Sequence, residues 1–387
     1  MIKNVGTQLM KSHHQMNQKN HSSDNIPELR FPEFVNEGEW EEKTVGDIYS
    51  FKVTNSLSRE NLNYESGKIK NIHYGDIHTR FNTLFDISKE KVPYINLNIP
   101  IDKIKAESYC IEGDMIFADA SEDLNDIGKS IEIVNLNNEK TVSGLHTLLA
   151  RQKVTNLVTG FGAYLFKSYS VKKQIQKEAQ GAKVLGISIG RISNVKISYP
   201  KNLQEQQKIA SCLSSLGEVI AAHSQKLATL KEHKKGLMQN LFPQEGETVP
   251  KLRFKEFVKE GEWEEKTLGE VCLYFKGFAF QSKDYTSAGR RIVRVSDMGF
   301  DYIKNEKSAI YINEEKAEQF EKWKLQKDDL IVTTVGSKPP VYDSLVGRTI
   351  VVKLKDENAL LNQNAVCLRA NKKSIQGFLN TLFKRSE

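Results

Sequence analysis

The chain has 387 residues, with 56 Lys and Arg against 49 Asp and Glu, a formal net charge of +7 and a pI near 8.9. That length holds two ordinary domains, each with its own core, and the charge permits contact with a polyanion without requiring it. Cys110, Cys212, Cys272 and Cys367 lie far apart, with no C-x-x-C pair and no His at metal spacing, which points to a reduced cytoplasm and no structural zinc, while no run approaches the roughly 18 apolar residues that span a bilayer.

Residues 1–26 are polar, lack the apolar core of a signal peptide and carry His13, His14 and His21 as solvated side chains. A disordered tail is expected there, with Met10 and Met16 as alternative starts. Over 27–200, short β-like runs such as DMIFAD, SIEIVNL and VKISYP alternate with helical stretches, predicting an α+β domain. Residues 201–243 change character. Ile209, Leu213, Leu216, Ile220, Leu227, Leu230, Leu237 and Leu241 follow alternating steps of four and three, with His223 and Lys234 also on the seam. The spacing predicts a long coiled-coil-type helix between Pro200 and Pro243, a rod of roughly 60 Å at ~1.5 Å per residue. A linker, 244–249, leads into a second domain, 250–387, with the runs RIVRVSD, LIVTTVG and GRTIVVKL and the helical stretch INEEKAEQFEKWKL.

The two domains repeat one another. LRFPEFVNEGEWEEKTVGD begins at Leu29 and LRFKEFVKEGEWEEKTLGE at Leu252, so Trp40 lies over Trp263 and Gly46 over Gly269. Further on, GDMIF from Gly113 lies over DDLIV from Asp328, GKSIEIV from Gly128 over GRTIVVK from Gly347, and GFGAYLFKS from Gly160 over GFLNTLFKRS from Gly377. Duplicated domains, not a solenoid, follow from repetition at this scale. Splitting the charge gives +1 for 1–200, +2 for 201–245 and +4 for the remainder, so a DNA-binding face, if present, must be local and made by loops rather than by a basic tail.

A copy, a long helix and a second copy, with Pro200, Leu203, Glu205, Gln206, Ile209, Ala210 and Leu213 forming P-x-x-L-x-E-Q-x-x-I-A-x-x-L, resemble the specificity (S) subunit of type I restriction-modification systems. The resemblance covers nearly everything from Pro27 onward. It implies two target recognition domains that each read half of a split DNA sequence, and long helices that space them and dock DNA methyltransferase (modification) subunits and restriction motor-nuclease subunits. It also implies a non-catalytic chain in the bacterial cytoplasm that binds no cofactor, with S-adenosylmethionine, ATP and Mg2+ used by the partner subunits. The second copy departs from the pattern: roughly 75 residues of the first copy find no counterpart, the partner helix among them. Two expectations stay open, a second copy of the chain that supplies the missing helix, or a truncated remnant or coiled-coil interaction protein that no longer directs modification.

Reading double-stranded DNA requires donors and acceptors that reach base edges and cations that fix register on phosphate. In the first domain the loop candidates are Lys70, His73, Tyr74, His78, Arg80, Ser121, Lys129, His146, Lys183 and Arg191. In the second they are Lys276, Arg290, Arg291, Arg294, Ser337, Lys338, Tyr342 and Arg348, with Asn362, Gln363 and Asn364 as adenine readers. For any one of these the solvated or packed alternative is the stronger, and the repeated Trp40, Trp263, Phe31, Phe254, Phe34 and Phe257 are expected to anchor cores. Enzyme motifs are missing: KPPVY at 338–342 places a lysine where an amino-methyltransferase needs an acceptor, and the GKS at 128–130 has Asp123 where a phosphate loop needs glycine.

Overall fold

A computed structural model describes residues 25–299, 302–304, 308–336 and 346–384. It is mixed helix and strand, and divides into one unit ending at Ser224 and another beginning at Gln225. The expected tail up to residue 24 lies outside the described residues. The long helix runs Leu203–Asn240, stopping short of Pro243, and the boundary between the units falls inside it.

In the first unit a five-stranded sheet runs in the order Tyr49–Lys52, Thr147–Gln152, Met115–Ala118, Ser130–Asn135, Leu84–Asp86. Its middle strand is apolar throughout and buried throughout, because it is covered on both faces. Met115 and Phe117 enter one core with Tyr49, Phe161 and Ile197, while Ile116 and Ala118 enter another with Phe85 and Ile133. A second sheet, ordered Thr141–Ser143, Lys70–Ile72, Tyr94–Ile95, Leu62–Asn63, packs its own small core around Ile69, Ile95 and Val142. The opening strand Glu41–Thr44 pairs antiparallel with Lys196–Tyr199, and a capping box between Thr44 and Asp47 turns the chain into the short helix Val45–Ile48.

The second unit repeats this plan. Its four-stranded sheet is ordered Cys272–Lys276, Ala365–Ala370, Leu330–Thr333, Thr349–Val351, beside a three-stranded sheet of Ile310–Ile312, Arg290–Val293 and Leu360–Leu361. The alternation returns: Ile331 and Cys367 face one core, Leu330 and Leu368 another. Thr267 and Glu270 rebuild the capping box. The tight turns match too, with Gly113 and Asp328 both at positive φ (87° and 70°), and Gly128 and Gly347 likewise (67° and 83°). The expected helix over 312–325 is shorter than the pattern suggested: a turn of α-helix, Glu314–Ala317, passes into a 3-10 segment kinked at Phe320.

One buried ion pair marks the duplication in side-chain chemistry. Arg151 grips Asp114 with Nε (2.9 Å) and Nη2 (2.7 Å), and Arg369 grips Asp329 the same way (2.7 Å each), with both carboxylates 1% exposed. A backbone amide caps each carboxylate, Ile111 N at 2.9 Å and Gln326 N at 2.7 Å, and each guanidinium also donates to a carbonyl, Tyr109 O or Lys324 O. Removing one partner of such a pair leaves a buried charge uncompensated. Asp114→Ala and Asp329→Ala are therefore each expected to lower the stability of their own unit by about 3–5 kcal/mol, visible as a selective fall of one of two transitions in calorimetry.

Glu132 is a second buried carboxylate without a cation. It accepts from Gly160 N (2.8 Å) and Ala163 N (2.6 Å), tying the Ser130–Asn135 strand to the helix Phe161–Leu165, yet burial outweighs these bonds and pushes it up to about 7. An acid raised on folding stays protonated while the unfolded chain ionises, so stability is lost as pH rises from the unfolded value to the folded one. Equilibrium unfolding of the first unit is expected to show this decline between pH about 4.5 and about 7 and none of it above, with the slope over that window reduced in Glu132→Gln.

Candidate nucleic-acid interface

The framework of each unit ends in a set of strand termini, and the candidate residues fall on them. In the first unit the helix Tyr74–Thr79 starts at the end of the strand Lys70–Ile72, capped by His73, whose Nδ1 accepts from Gly75 N at 3.2 Å. Burial and then the Arg59 guanidinium hold His73 below the ordinary histidine value, so it is neutral at pH 7. Tyr74 sits at the centre of an imidazole cluster, with ring centroids 4.7 Å from His73, 6.0 Å from His78 and 5.2 Å from His146. Lys129 Nζ donates to His78 O at 2.7 Å, and His78 Nε2 meets Ala120 O at 3.0 Å. Residues from four separate stretches are thus joined: 73–78, Ala120, Lys129 and His146.

His146 also closes an open cleft of about 460 Å³ with Asp119, Gln180, Leu185, Ile187 and Arg191. Its backbone takes positive φ (54°) and its Nδ1 lies 3.1 Å from the Asp119 carboxylate. Ser121 lies in the strand that pairs with Leu185–Gly186, next to the exposed Lys183, and its hydroxyl is spent on Asp123 O. Arg191 pairs with Glu178 at 3.1 Å. Asp119 and Gln180 were missed by the sequence reading. The one available signal was that Asp119 directly follows the apolar strand, since residues just past strand ends gather at such rims.

The remaining first-unit candidates lie apart from this cluster. Lys70, 12% exposed, is locked to Glu139 at 2.7 Å, and Arg80 leans on Tyr64 and Asp76. The buried Asp76 is held chiefly by Arg59, at 2.7 Å.

Matching backbone hydrogen bonds in the two units put second-unit residues in equivalent places. Gly144 N donates to Ile72 O and Asn362 N to Val293 O; Asp119 N donates to His146 O and Thr334 N to Asn364 O. Asp76 N donates to His73 O, and Asp297 N to Arg294 O. Gly128 N donates to Ala118 O, and Gly347 N to Thr333 O. His73 therefore corresponds to Arg294, Lys129 to Arg348 and His146 to Asn364; the side-chain chemistry differs at the first and last, while Lys129 and Arg348 are both cations. Lys70 corresponds to Arg291, and there the chemistry is kept: Arg291 pairs with the buried Asp356 at 3.5 Å as Lys70 does with Glu139.

Arg290 is engaged by Glu314 (2.7 Å) and Glu321 (3.6 Å), and Arg294 by Asp297 (2.9 Å) and Ser308 O. Asn362 is buried against Gly277, whose α-carbon leaves no room for a side chain there, and the Gln363 Oε1 is buried without a hydrogen-bond partner. Lys276 is exposed, its carbonyl accepting from the Trp323 indole at 3.1 Å. Ser337, Lys338 and Tyr342 lie outside the described residues.

Two stretches of the chain, 37–232 and 260–386, match the family model for the type I restriction modification DNA specificity domain. The chain belongs to that family. Two relatives from Methanocaldococcus jannaschii are each 26% identical: the type I restriction enzyme MjaVIII specificity subunit, over 52% of this chain and 46% of the relative, and a putative MjaX specificity subunit, over 64% and 56%. The chain spans about half the length of these curated relatives. A crystal structure of a type I restriction-modification S subunit from M. genitalium has the same fold, with a TM-score of 0.52 at 14% identity over 94% of this chain and 80% of that one. The mixed helix-and-strand fold of the two units is therefore one that the family shares.

The long helix carries the family motif and the seam. Glu205 and Gln206, in its first turn, are fully buried in the first unit. Gln206 donates to Pro200 O and Asn156 O and accepts from Val158 N, and Arg30 grips Glu205 with Nε and Nη2, both at 2.7 Å. Beyond this the seam is open: Ile209 packs partly on the first core, but Leu213, Leu216, Ile220, Leu227 and Leu230 are exposed, and Leu237 and Leu241 are half-buried at the far end. No helix among the described residues lies along it or is long and apolar enough to cross a membrane.

Proposed function

We propose that the chain is a sequence-specific DNA-binding specificity subunit. Each unit would read one half of a bipartite target, and the long helix would dock methyltransferase and restriction subunits. The observation that carries this reading is the contrast within the duplication: the buried Asp–Arg forks keep their chemistry in both units, whereas His73 and Arg294, and His146 and Asn364, hold equivalent strand-end places with different side chains. Interchangeable donors and acceptors on a fixed frame are what two different half-sites demand. The catalytic chemistry, with its S-adenosylmethionine, ATP and Mg2+, would belong to the partner subunits in the bacterial cytoplasm. Methylome sequencing of cells with and without the gene, in the presence of a cognate modification subunit, is expected to show a bipartite methylated motif that depends on it; an unchanged methylome refutes the reading.

The exposed seam favours a second reading, a coiled-coil interaction protein that binds partners without directing modification, with a second copy of the chain as one source of the facing helix. Assembly without salt-sensitive binding to specific duplexes would select it. Under either reading Leu216→Asp with Leu227→Asp is expected to abolish assembly in analytical ultracentrifugation, and retained assembly would remove the seam from the interface.

A further inference from the structure

Lys129 has a second neighbourhood besides the imidazole cluster. It follows Gly128, whose positive φ (67°) turns the chain into the strand Ser130–Asn135, and it borders an open cleft of about 230 Å³ together with Lys167 and Lys172. The apolar floor explains this gathering. Phe166 and Ile175 are buried in the first core, so Lys167 stands at the rim beside the one, and Lys172, three residues before the other, shares its face of the helix Tyr169–Glu178. Asp126 is the one acid among the described residues that line the cleft, 3.7 Å from Lys129, which leaves three ammonium groups around one carboxylate. Lys167 and Lys172 have no ion pair or side-chain hydrogen bond among the described residues. Partial burial and then the charge on Lys129 hold Lys167 below the ordinary lysine value. An anion in the cleft would relieve both effects.

The duplication says which anion. Gly128 and Gly347 make the same turn, so Arg348 holds the place of Lys129. Phe166 packs on Phe117, with ring centroids 4.8 Å apart, and Phe383 joins the cluster of Val332, the residue that lies over Phe117. Lys384 follows Phe383 as Lys167 follows Phe166. Two positive charges are therefore kept in both units, while His73 and Arg294, or His146 and Asn364, differ in side chain. Places that keep their charge while the neighbouring strand-end residues change suit the part of a duplex that is the same in every sequence, its phosphate backbone. The cleft also adjoins the variable cluster, since Lys129 Nζ donates to His78 O at 2.7 Å and His78 lies 6.0 Å from the Tyr74 ring.

We infer that the cleft between Lys129, Lys167 and Lys172 is a backbone-phosphate site, which takes one phosphodiester group of duplex DNA whatever base it carries, and that Arg348 and Lys384 repeat it in the second unit. The inference rests on the DNA-binding reading and deepens it by separating register from readout. Lysine suits the task because its ammonium acts as a point charge with three rotatable donors and asks for no fixed orientation of the group it binds. A phosphate held in the cleft neutralises the charge that Lys129 and Lys167 impose on one another, and sets the duplex against the residues at the strand ends.

The probes are two labelled duplexes of unrelated sequence, titrated with the full chain by fluorescence anisotropy over a series of salt concentrations. Lys167→Gln with Lys172→Gln is expected to weaken both duplexes alike, by roughly fivefold to tenfold near 0.1 M salt, and to lower the slope of log affinity against log salt by about 1. Lys167→Arg with Lys172→Arg is expected to keep both affinity and slope. Lys173→Gln, which removes a charge from a different face of the same helix, is expected to change neither. Adding Arg348→Gln to the double variant is expected to lower the slope by about 1 more. Salt-sensitive binding by the unaltered chain with the same slope in the double variant overturns the inference and leaves the DNA reading standing. A loss confined to one duplex makes these lysines base readers and overturns it too, and an unaltered chain with no salt-sensitive binding overturns both.

Discussion

The buried fork between Asp114 and Arg151, repeated by Asp329 and Arg369, is the constraint on which each unit depends. A carboxylate at 1% exposure is tolerable only when its oxygens are fully engaged, and each is, by two guanidinium N–H groups and a backbone amide. The fork does more than neutralise charge. By donating also to Tyr109 O or Lys324 O, the arginine fixes the turn that feeds the middle strand, and so the register in which Met115–Ala118 pairs with Thr147–Gln152, and Leu330–Thr333 with Ala365–Ala370. In these antiparallel pairs the fork sits at one end. His146 and Asp119, or Asn364 and Thr334, sit at the other, about five residues or roughly 17 Å away. Locking one end frees the other to vary without cost to the core.

That separation explains why residue type alone is a poor guide to the interface. Lys70 and Arg291 are cations near strand ends, as a DNA-contacting residue would be, yet each stands in an ion pair within its own unit, Lys70 with Glu139 and Arg291 with Asp356. His146 and Asn364 present different donor and acceptor geometries but share a place in the hydrogen-bond pattern. A frame residue is recognisable because its partner recurs with it; a residue that varies on a fixed frame is available for specificity.

Much of the frame was legible. The alternation in the apolar runs placed the strands, the seam spacing and Pro200 placed the helix, and the repeated openings aligned the units, because each signal is local. The clusters were not, because they depend on long-range pairing. Tyr74 meets His146 only because Thr141–Ser143 runs parallel beside Lys70–Ile72, and nothing in a linear reading joins Arg30 to Glu205 across 175 positions. The helix ended at Asn240 rather than at Pro243, since proline also pushes the residue before it, Phe242, out of the helical region. The shortened helix after Ile312 follows from its aromatic side: Phe320 and Trp323 join Phe278 and Phe280, and the kink at Phe320 serves that packing.

The long helix is asked to satisfy two incompatible solvents along its length. Its first turn lies in a protein interior, with Glu205 and Gln206 wholly buried and Ala210 4% exposed, and there polar side chains are matched one by one to Arg30, Asn156, Val158 and Pro200. A few turns on, Leu216, Ile220, Leu227 and Leu230 stand more than half exposed in a row that, with His223, is spaced at fours and threes. A sequence selected only for a solvated spacer would place Lys or Glu at those positions, since long charged residues form helix as well as leucine does. The regular leucines therefore reflect burial against something, and the buried first turn limits where that partner can lie: along 213–230, not at the helix start, which the first unit already holds.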